Sequence, residues 1–347
     1  MDLDFIIIGQ GLSGSILSYK LLQRGYKVKI FDDGNNHASS VAAGLFNPIT
    51  GKRWVKTWLA EEIFKVIPQF YLRLQQHYKQ EFYFPKSLYR PFNTLREQNE
   101  WAIKSHKELS LLFVKEMFTV PIIPEIINNP FGGIMIKDAG YINVPNLLKV
   151  MKSDFKEHNI LVPELFEYQK MIIRDDKIYY KDLSSARIIF CTGISSASAG
   201  YFSELPFNAV KGEILTVEMG IEINFIVSRG IFIIPEQKNL YKVGATYDRE
   251  NINVEITGSG KNYLVARLKK IINSDVTVID QVAGIRPATR DRRPFIGMHP
   301  KFKNVGIFNG FGSKGVSLIP YLSDQFIAHL ESGVKLDPEI NIMRYFN

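Results

Sequence analysis

The chain opens with an apolar run, Phe5-Ile6-Ile7-Ile8, the pattern of a parallel strand buried on both faces. Gly9, Gly11 and Gly14 follow at once. Beyond them Leu17, Leu21 and Leu22 recur at helical spacing up to Arg24-Gly25, where a glycine just past the last turn stops a helix. Residues 27–31 alternate polar and apolar and end at Asp32-Asp33, which predicts a second strand and completes a strand–helix–strand unit. Farther along, Ile63, Val66, Ile67, Phe70 and Leu74 predict a helix over 58–77, and helices are expected over 94–108 and 144–158. Residues 186–190 have the composition of a buried strand and run into Cys191-Thr192-Gly193. Over 213–246 the pattern is strands joined by turns, as in an antiparallel sheet. The chain closes with a strand over 305–308 and a helix over 316–330.

The spacing of the first glycines has a physical meaning. Gly9-x-Gly11-x-x-Gly14 falls between a predicted strand and a predicted helix, and Asp32 ends the next strand 23 positions after Gly9. The first glycine permits a tight turn, the second lets the backbone approach a pyrophosphate, and the third lets helix and strand pack closely. The helix N-terminus offers N–H groups and positive dipole to phosphates, and Asp32 is placed to accept hydrogen bonds from ribose hydroxyls. The motif predicts a bound dinucleotide and leaves FAD and NAD open. A second such spacing, Gly310-Phe311-Gly312-Ser313-Lys314-Gly315, also lies between strand and helix, but no acid closes a following strand. A glycine turn of that kind suits any anionic or electron-rich group, such as the N1–O2 edge of a reduced flavin.

Composition narrows the classes. Hydrophobic residues are 46% and charged residues 22% of the chain, which excludes disordered and fibrous proteins. The 347 residues suffice for about two domains, and no Pro/Gly/Ser linker divides them, so they are expected to be interleaved. Cys191 is the sole cysteine, which excludes an internal disulfide and fits a reducing compartment. His37, His77, His106, His158, His299 and His329 lack ligand spacing, so no metal is expected. No apolar run reaches the roughly 18 residues of a membrane helix, and Met1-Asp2-Leu3-Asp4 has no leader-like basic region. A cytoplasmic protein with no membrane partner is expected. The net charge of +8 suits an anionic substrate or nucleic acid.

A further set of short motifs follows in order: Ala38-Ser39-Ser40-Val41-Ala42-Ala43-Gly44, Gly140-Tyr141-Ile142-Asn143-Val144-Pro145, Cys191-Thr192-Gly193, Val210-Lys211-Gly212-Glu213, Val243-Gly244-Ala245-Thr246 and Gly284-Ile285-Arg286-Pro287. With the two glycine turns, this series resembles the FAD-dependent D-amino-acid oxidase superfamily, glycine oxidase and sarcosine oxidase above all. It is similar as well to the FAD domain of the bifunctional tRNA wobble-uridine modification enzyme. The resemblance covers nearly the whole chain. It implies an α/β plus α+β fold: a Rossmann-like FAD-binding domain over 1–60, 138–205 and 278–347, interleaved with an antiparallel-sheet substrate domain over 61–137 and 206–277. It implies FAD contacts at Gly9, Gly11, Leu12, Ser13, Gly14, Asp32, Asp33, Ser39, Ser40, Ala43, Gly44, Thr192, Gly193, Gly310, Gly312, Ser313, Lys314 and Gly315. Some relatives attach FAD through a cysteine near 281–291; this chain has none there, so noncovalent FAD is expected.

The reaction implied is oxidation of a C–N bond next to a carboxylate, with the flavin carrying the difficult chemistry. Arg286 matches the arginine that binds the substrate carboxylate in glycine oxidase, and Lys314 the carboxylate-binding lysine of sarcosine oxidase. Lys242 resembles the lysine that promotes oxygen reduction in sarcosine oxidase. Phe232, Phe311 and Ser313 depart from the polar residues of glycine oxidase, which removes support for glycine itself as substrate. The stretch Ala283–Asp291 and the turn Gly312-Ser313-Lys314-Gly315 are closer to the tRNA-modifying domain, although the methyltransferase usually fused to that domain is absent from this sequence. Three functions therefore stay open: an oxidase or dehydrogenase of a small anionic amine, an enzyme acting on carboxymethylaminomethyl-uridine in tRNA, and a flavin-binding protein without amine chemistry. The oligomeric state is open too.

Overall fold

The computed structural model describes residues 1–35, 38–51, 54–104, 112–197 and 200–346. The N-terminal apolar run lies inside the strand Asp2–Ile8, at the centre of an eight-stranded sheet. Val28–Phe31 and Leu183–Phe190 flank it, both parallel to it. Leu161–Val162 extends the sheet on one side and Val305–Asn309 on the other, again in parallel. Both faces are covered, as parallel sheets require. Side-chain alternation sends Phe5, Ile7 and Ile30 into one core with the helices Leu12–Gln23, Val144–Glu157 and Gly315–Ser332. The intervening Ile6, Ile8 and Phe31 enter a second core with Phe166, Tyr180 and Phe202.

A second eight-stranded sheet runs in the order Thr277–Arg286, Val210–Glu218, Leu240–Gly244, Phe232–Gln237, Ile226–Ser228, Leu88–Pro91, Gly133–Ile136, Val114–Phe118. Its pairs are antiparallel except Ile226–Ser228 with Leu88–Pro91. Leu215, Val217, Ile233, Tyr241 and Val243 pack with Leu264 and Leu268 of the helix Gly258–Lys269. The opposite side chains, Ile214, Phe232, Ile234 and Val282, join the core that holds the first sheet's helices. One face of the second sheet therefore looks onto the first layer. This is the mixed α/β and α+β architecture expected.

Most helices lie where the periodicity puts them. The helix expected over 58–77 is Ala60–Tyr78, that over 144–158 is Val144–Glu157, and that over 316–330 is Gly315–Ser332. Residues 95–104 of the 94–108 stretch are helical, and 105–108 lie outside the described residues. Two elements cross the expected divisions at 61 and 278. Ala60–Tyr78 buries Ile63, Phe64, Ile67, Phe70, Tyr71 and Leu74 in the core shared with Gly315–Ser332, because its apolar stripe needs a helical partner. Thr277–Arg286 is an edge strand of the second sheet. Among the described residues no helix is long and apolar enough to cross a membrane.

Candidate active site

The C-terminal ends of the parallel strands converge on one edge, the place where open α/β sheets bind ligands. Gly9 follows Asp2–Ile8 with φ +100°, a backbone conformation that favours glycine, and a side chain there would meet the Cys191 carbonyl oxygen at 2.7 Å. A methyl on Gly14 would run into the Gly9 carbonyl, so the helix Leu12–Gln23 packs as close as backbone allows. The first-turn N–H groups of Ser13 and Gly14 have no intrahelical acceptor, while the Leu12 N–H donates to Ser39 Oγ at 3.2 Å. Asp32 sits at the end of the next strand. Its Oδ2 accepts from the Gln10 N–H at 2.6 Å and its Oδ1 from the Gly34 N–H at 2.8 Å, so it ties the glycine turn to its own loop. Asp33 bonds only to Asn35 among the described residues, at 3.0 and 2.9 Å. Ala43 is buried and Ser40 exposed. Gly44 has φ +67° and packs on Ile142, whose N–H donates to the Gly44 carbonyl at 3.0 Å.

The third and fourth strand ends are stitched together. Asn309 Nδ2 donates to the Gly193 carbonyl at 2.7 Å and to Ser196 Oγ at 3.0 Å, and Thr192 Oγ1 lies 2.5 Å from Ser196 Oγ. Nothing in the spacing of the sequence singled out Asn309, although it stands immediately before the second glycine turn. Gly310 and Gly312 both have positive φ, +79° and +54°. Gly315 faces Leu12, so the second turn lies beside the first. Ser313 is exposed at its tip. The Gly312 N–H donates to the Pro287 carbonyl at 3.2 Å, which brings the segment carrying Lys314 against the segment carrying Arg286.

Lys314 is the N-cap of Gly315–Ser332. The residue is partly buried, its ammonium has no carboxylate partner among the described residues, and desolvation alone lowers its pKa to about 8. Arg286 ends the strand Thr277–Arg286, and its guanidinium folds across Gly212 of the neighbouring strand, where any side chain would collide with it. Burial pushes its pKa down, and no carboxylate offsets this. Among the described residues its hydrogen bonds are two long ones, at 3.4 Å, to the carbonyls of Lys211 and Thr246. Its other contact is the Tyr247 ring, 4.6 Å away.

Cross-strand register places the third candidate cation. Gly284 pairs with Gly212, Ile214 with Gly244 and Thr216 with Lys242. Directly opposed residues share a face, and so do residues two apart. Arg286 and Lys242 therefore lie on the same face of the second sheet, the face of Ile214, Phe232 and Ile234 that joins the first layer. Lys242 does not stand alone there: its Nζ is 2.6 Å from Glu236 Oε1, with 20% and 21% of the two side chains exposed. Glu236 was not expected; it lies two residues beyond Ile234, the partner of Lys242, at the register shift between Pro235 and Gln237.

These groups fit FAD on chemical grounds. A glycine cradle at a helix N-terminus and an acid beyond it suit the pyrophosphate and ribose. Two partly buried cations with no acidic partner among the described residues suit the anionic groups of a flavin edge or a substrate, since charges withdrawn from water are ordinarily paired. Cys191 is buried next to Ser13 and its thiol is pushed up by desolvation, the state of an inert side chain. Among the described residues no group of three or more His, Cys, Asp or Glu could hold a metal ion, and His37 and His106 lie outside them.

Comparison with known proteins agrees with this reading of the fold. Residues 4–328 match the model of a family described as FAD dependent oxidoreductase. The chain is 24% identical over 382 residues to the tRNA 5-methylaminomethyl-2-thiouridine biosynthesis bifunctional protein MnmC of Legionella pneumophila (strain Corby), covering 97% of this chain and 55% of that protein. It thus spans about half the length of the bifunctional relatives it matches. Similarity to glycine oxidase of Geobacillus kaustophilus (strain HTA426) is 22% over 358 residues, with 91% of this chain and 90% of the other covered. Among solved structures, glycine oxidase from Geobacillus kaustophilus superposes with TM-score 0.80 at 20% identity, over 95% of this chain and 94% of the other. Iminodiacetate oxidase from Chelativorans sp. BNC1 gives 0.78 at 18%, over 94% and 95%.

Proposed function

The chain belongs to the family of FAD dependent oxidoreductases, and from that premise we propose that it oxidises the C–N bond of a small carboxylated amine with noncovalently held FAD. The observation that carries this reading is the pair of partly buried cations, Arg286 and Lys314, on touching segments without acidic partners among the described residues. FAD, when bound, supplies a two-electron acceptor for the C–H bond beside the nitrogen.

The residues of the chain do the rest. The turn Gly9–Gly14, Asp32 and the small residues Ser39, Ser40, Ala43 and Gly44 hold the dinucleotide. Thr192, Gly193 and the turn Gly310–Gly315, at the neighbouring strand ends, would complete the residues that hold it. Arg286 offers a planar fork to both oxygens of a carboxylate and fixes the substrate's orientation, while Lys314 adds attraction as a point charge. Apolar Phe232 and Phe311 line the region where a more polar site would have hydrogen-bonding groups. The amine leaves as an imine, and water hydrolyses it.

Two measurements test this. Acid precipitation should leave the pellet colourless and the flavin in the supernatant; flavin retained in the pellet refutes noncovalent binding. Anaerobic bleaching against a panel of amines should single out carboxylated ones. Arg286→Ala and Lys314→Ala should each weaken the response, by roughly 1.5–3 kcal/mol for a charge-assisted hydrogen bond lost in a dry site, or about ten- to a hundredfold. A preferred substrate with no carboxylate, or wild-type behaviour of Arg286→Ala, overturns the assignment.

A second reading has its own support. The similarity to MnmC extends over 97% of the chain, and a net charge of +8 suits a polyanion. In that reading the amine is a carboxymethylaminomethyl group on a tRNA uridine. Submicromolar tRNA binding with a steep dependence on salt, together with bleaching by modified tRNA and not by free amino acids, would establish it in place of the first.

A further inference from the structure

Tyr247 is the one aromatic ring stacked on the Arg286 guanidinium among the described residues, with its centroid 4.6 Å away. The ring is 67% exposed, so Arg286 covers part of it and the remainder faces solvent. Its backbone is held firmly. Lys211 and Asp248 exchange both backbone hydrogen bonds, at 2.9 and 3.1 Å, and the Thr246 N–H donates to the Glu213 carbonyl at 3.2 Å. The loop that follows is anchored as well. Lys211 Nζ donates to Asn253 Oδ1 at 2.9 Å, and the Glu213 carboxylate accepts from the Thr257 N–H and hydroxyl at 2.9 and 2.7 Å. Between these anchors Ile252, Val254 and Ile256 are exposed to 36%, 41% and 55%. The anchors Lys211 and Glu213 face the other side of the sheet from Arg286, so Tyr247 is the apolar side chain that rests on the partly buried arginine.

A cation without an acidic partner beside the exposed Tyr247 ring, which serves as an aromatic shelf, is complementary to an amphipathic acid. The charge recognises a carboxylate, and the shelf recognises a ring a few bonds away from it. A site built for the smallest amino acids would leave this shelf without a contact. We propose that Tyr247 is a specificity-determining residue, and that the carboxylated amine taken by this site carries an aromatic ring two or three bonds from its carboxylate carbon, which packs on Tyr247. The proposal rests on Arg286 as the carboxylate anchor.

Isothermal titration of the FAD-loaded protein with 3-phenylpropionate and with propionate tests this without turnover, and separates it from the anchor itself. The wild type should bind 3-phenylpropionate about tenfold or more tightly than propionate. Tyr247→Ala should reduce that preference about five- to tenfold and leave propionate unchanged, which also shows that the variant site is intact. Tyr247→Trp should keep the preference. Equal affinities in the wild type, as expected if the shelf receives a polypeptide or a nucleic acid, overturn the proposal. So does a Tyr247→Ala protein that keeps the full preference or loses both ligands alike. Arg286→Ala should weaken both ligands together; propionate affinity unchanged in that variant refutes the anchor, whatever Tyr247 does.

Discussion

The Tyr71 hydroxyl donates a 2.8 Å hydrogen bond to the carbonyl of Val316. Pro320, four residues on in the helix Gly315–Ser332, has no N–H with which to take that carbonyl. Tyr71 comes from Ala60–Tyr78, a helix far away in sequence, and its ring is fully buried. The bond thus repairs a gap in the first turn of the helix whose N-cap is Lys314. Tyr71→Phe is expected to cost about 1–3 kcal/mol, the penalty for a buried acceptor left unsatisfied. Urea denaturation of the two proteins checks this, and equal midpoints would show that the carbonyl finds another donor.

Gly14→Ala reverses an ordinary trend. Inside a helix the change normally stabilises by about 1 kcal/mol. Here the new methyl would meet the Gly9 carbonyl, a backbone group that cannot turn aside as a flexible side chain could. A lower melting temperature and a reduced flavin-to-protein absorbance ratio are expected. A more stable, fully loaded variant would show that the turn has slack.

Lys242 and Glu236 form a half-buried ion pair on the face that looks onto the first layer. Lys242→Met is expected to slow reoxidation of reduced flavin by oxygen and leave anaerobic reduction by substrate largely intact, because a cation near the flavin favours charge build-up on oxygen. Glu236→Gln frees that cation and should move the oxygen rate the other way. Stopped-flow measurement of the two half-reactions decides; equal effects on both, or none, make the pair a structural one.

Lys314 gives a pH dependence with opposite signs for stability and for binding. Burial lowers its ammonium from 10.5 to about 8. Below about pH 8 folded and unfolded chains are both protonated there, and the desolvation cost is carried in full. Between the two values the unfolded chain binds more protons, so this residue's contribution improves as pH rises. An anionic ligand needs the charged form, so its affinity should fall as pH climbs through about 8. Lys314→Met should bind propionate more weakly at neutral pH and lose that alkaline limb. Titrations of both proteins from neutral pH to about pH 10 distinguish this from a limb that survives the substitution.

Much of the molecule is written locally. The run Phe5–Ile8, the glycines after it and Asp32 specify strand, turn and helix through short-range sterics, so this strand–turn–helix end was legible from residue order alone. The helices Ala60–Tyr78 and Val144–Glu157 followed from apolar spacing for the same reason. What the sequence did not contain was register across distance. Whether Arg286 folds over Gly212, whether Lys242 meets Glu236 and whether Tyr247 stacks on Arg286 depend on how Val210–Glu218 pairs with two other strands and on a register shift in a hairpin. Chemistry-bearing side chains can be named from the chain itself. Their partners are set by long-range pairing and burial, which leave no periodic trace in sequence, and so only the tertiary structure decided which cations are neutralised and which stand open to a ligand.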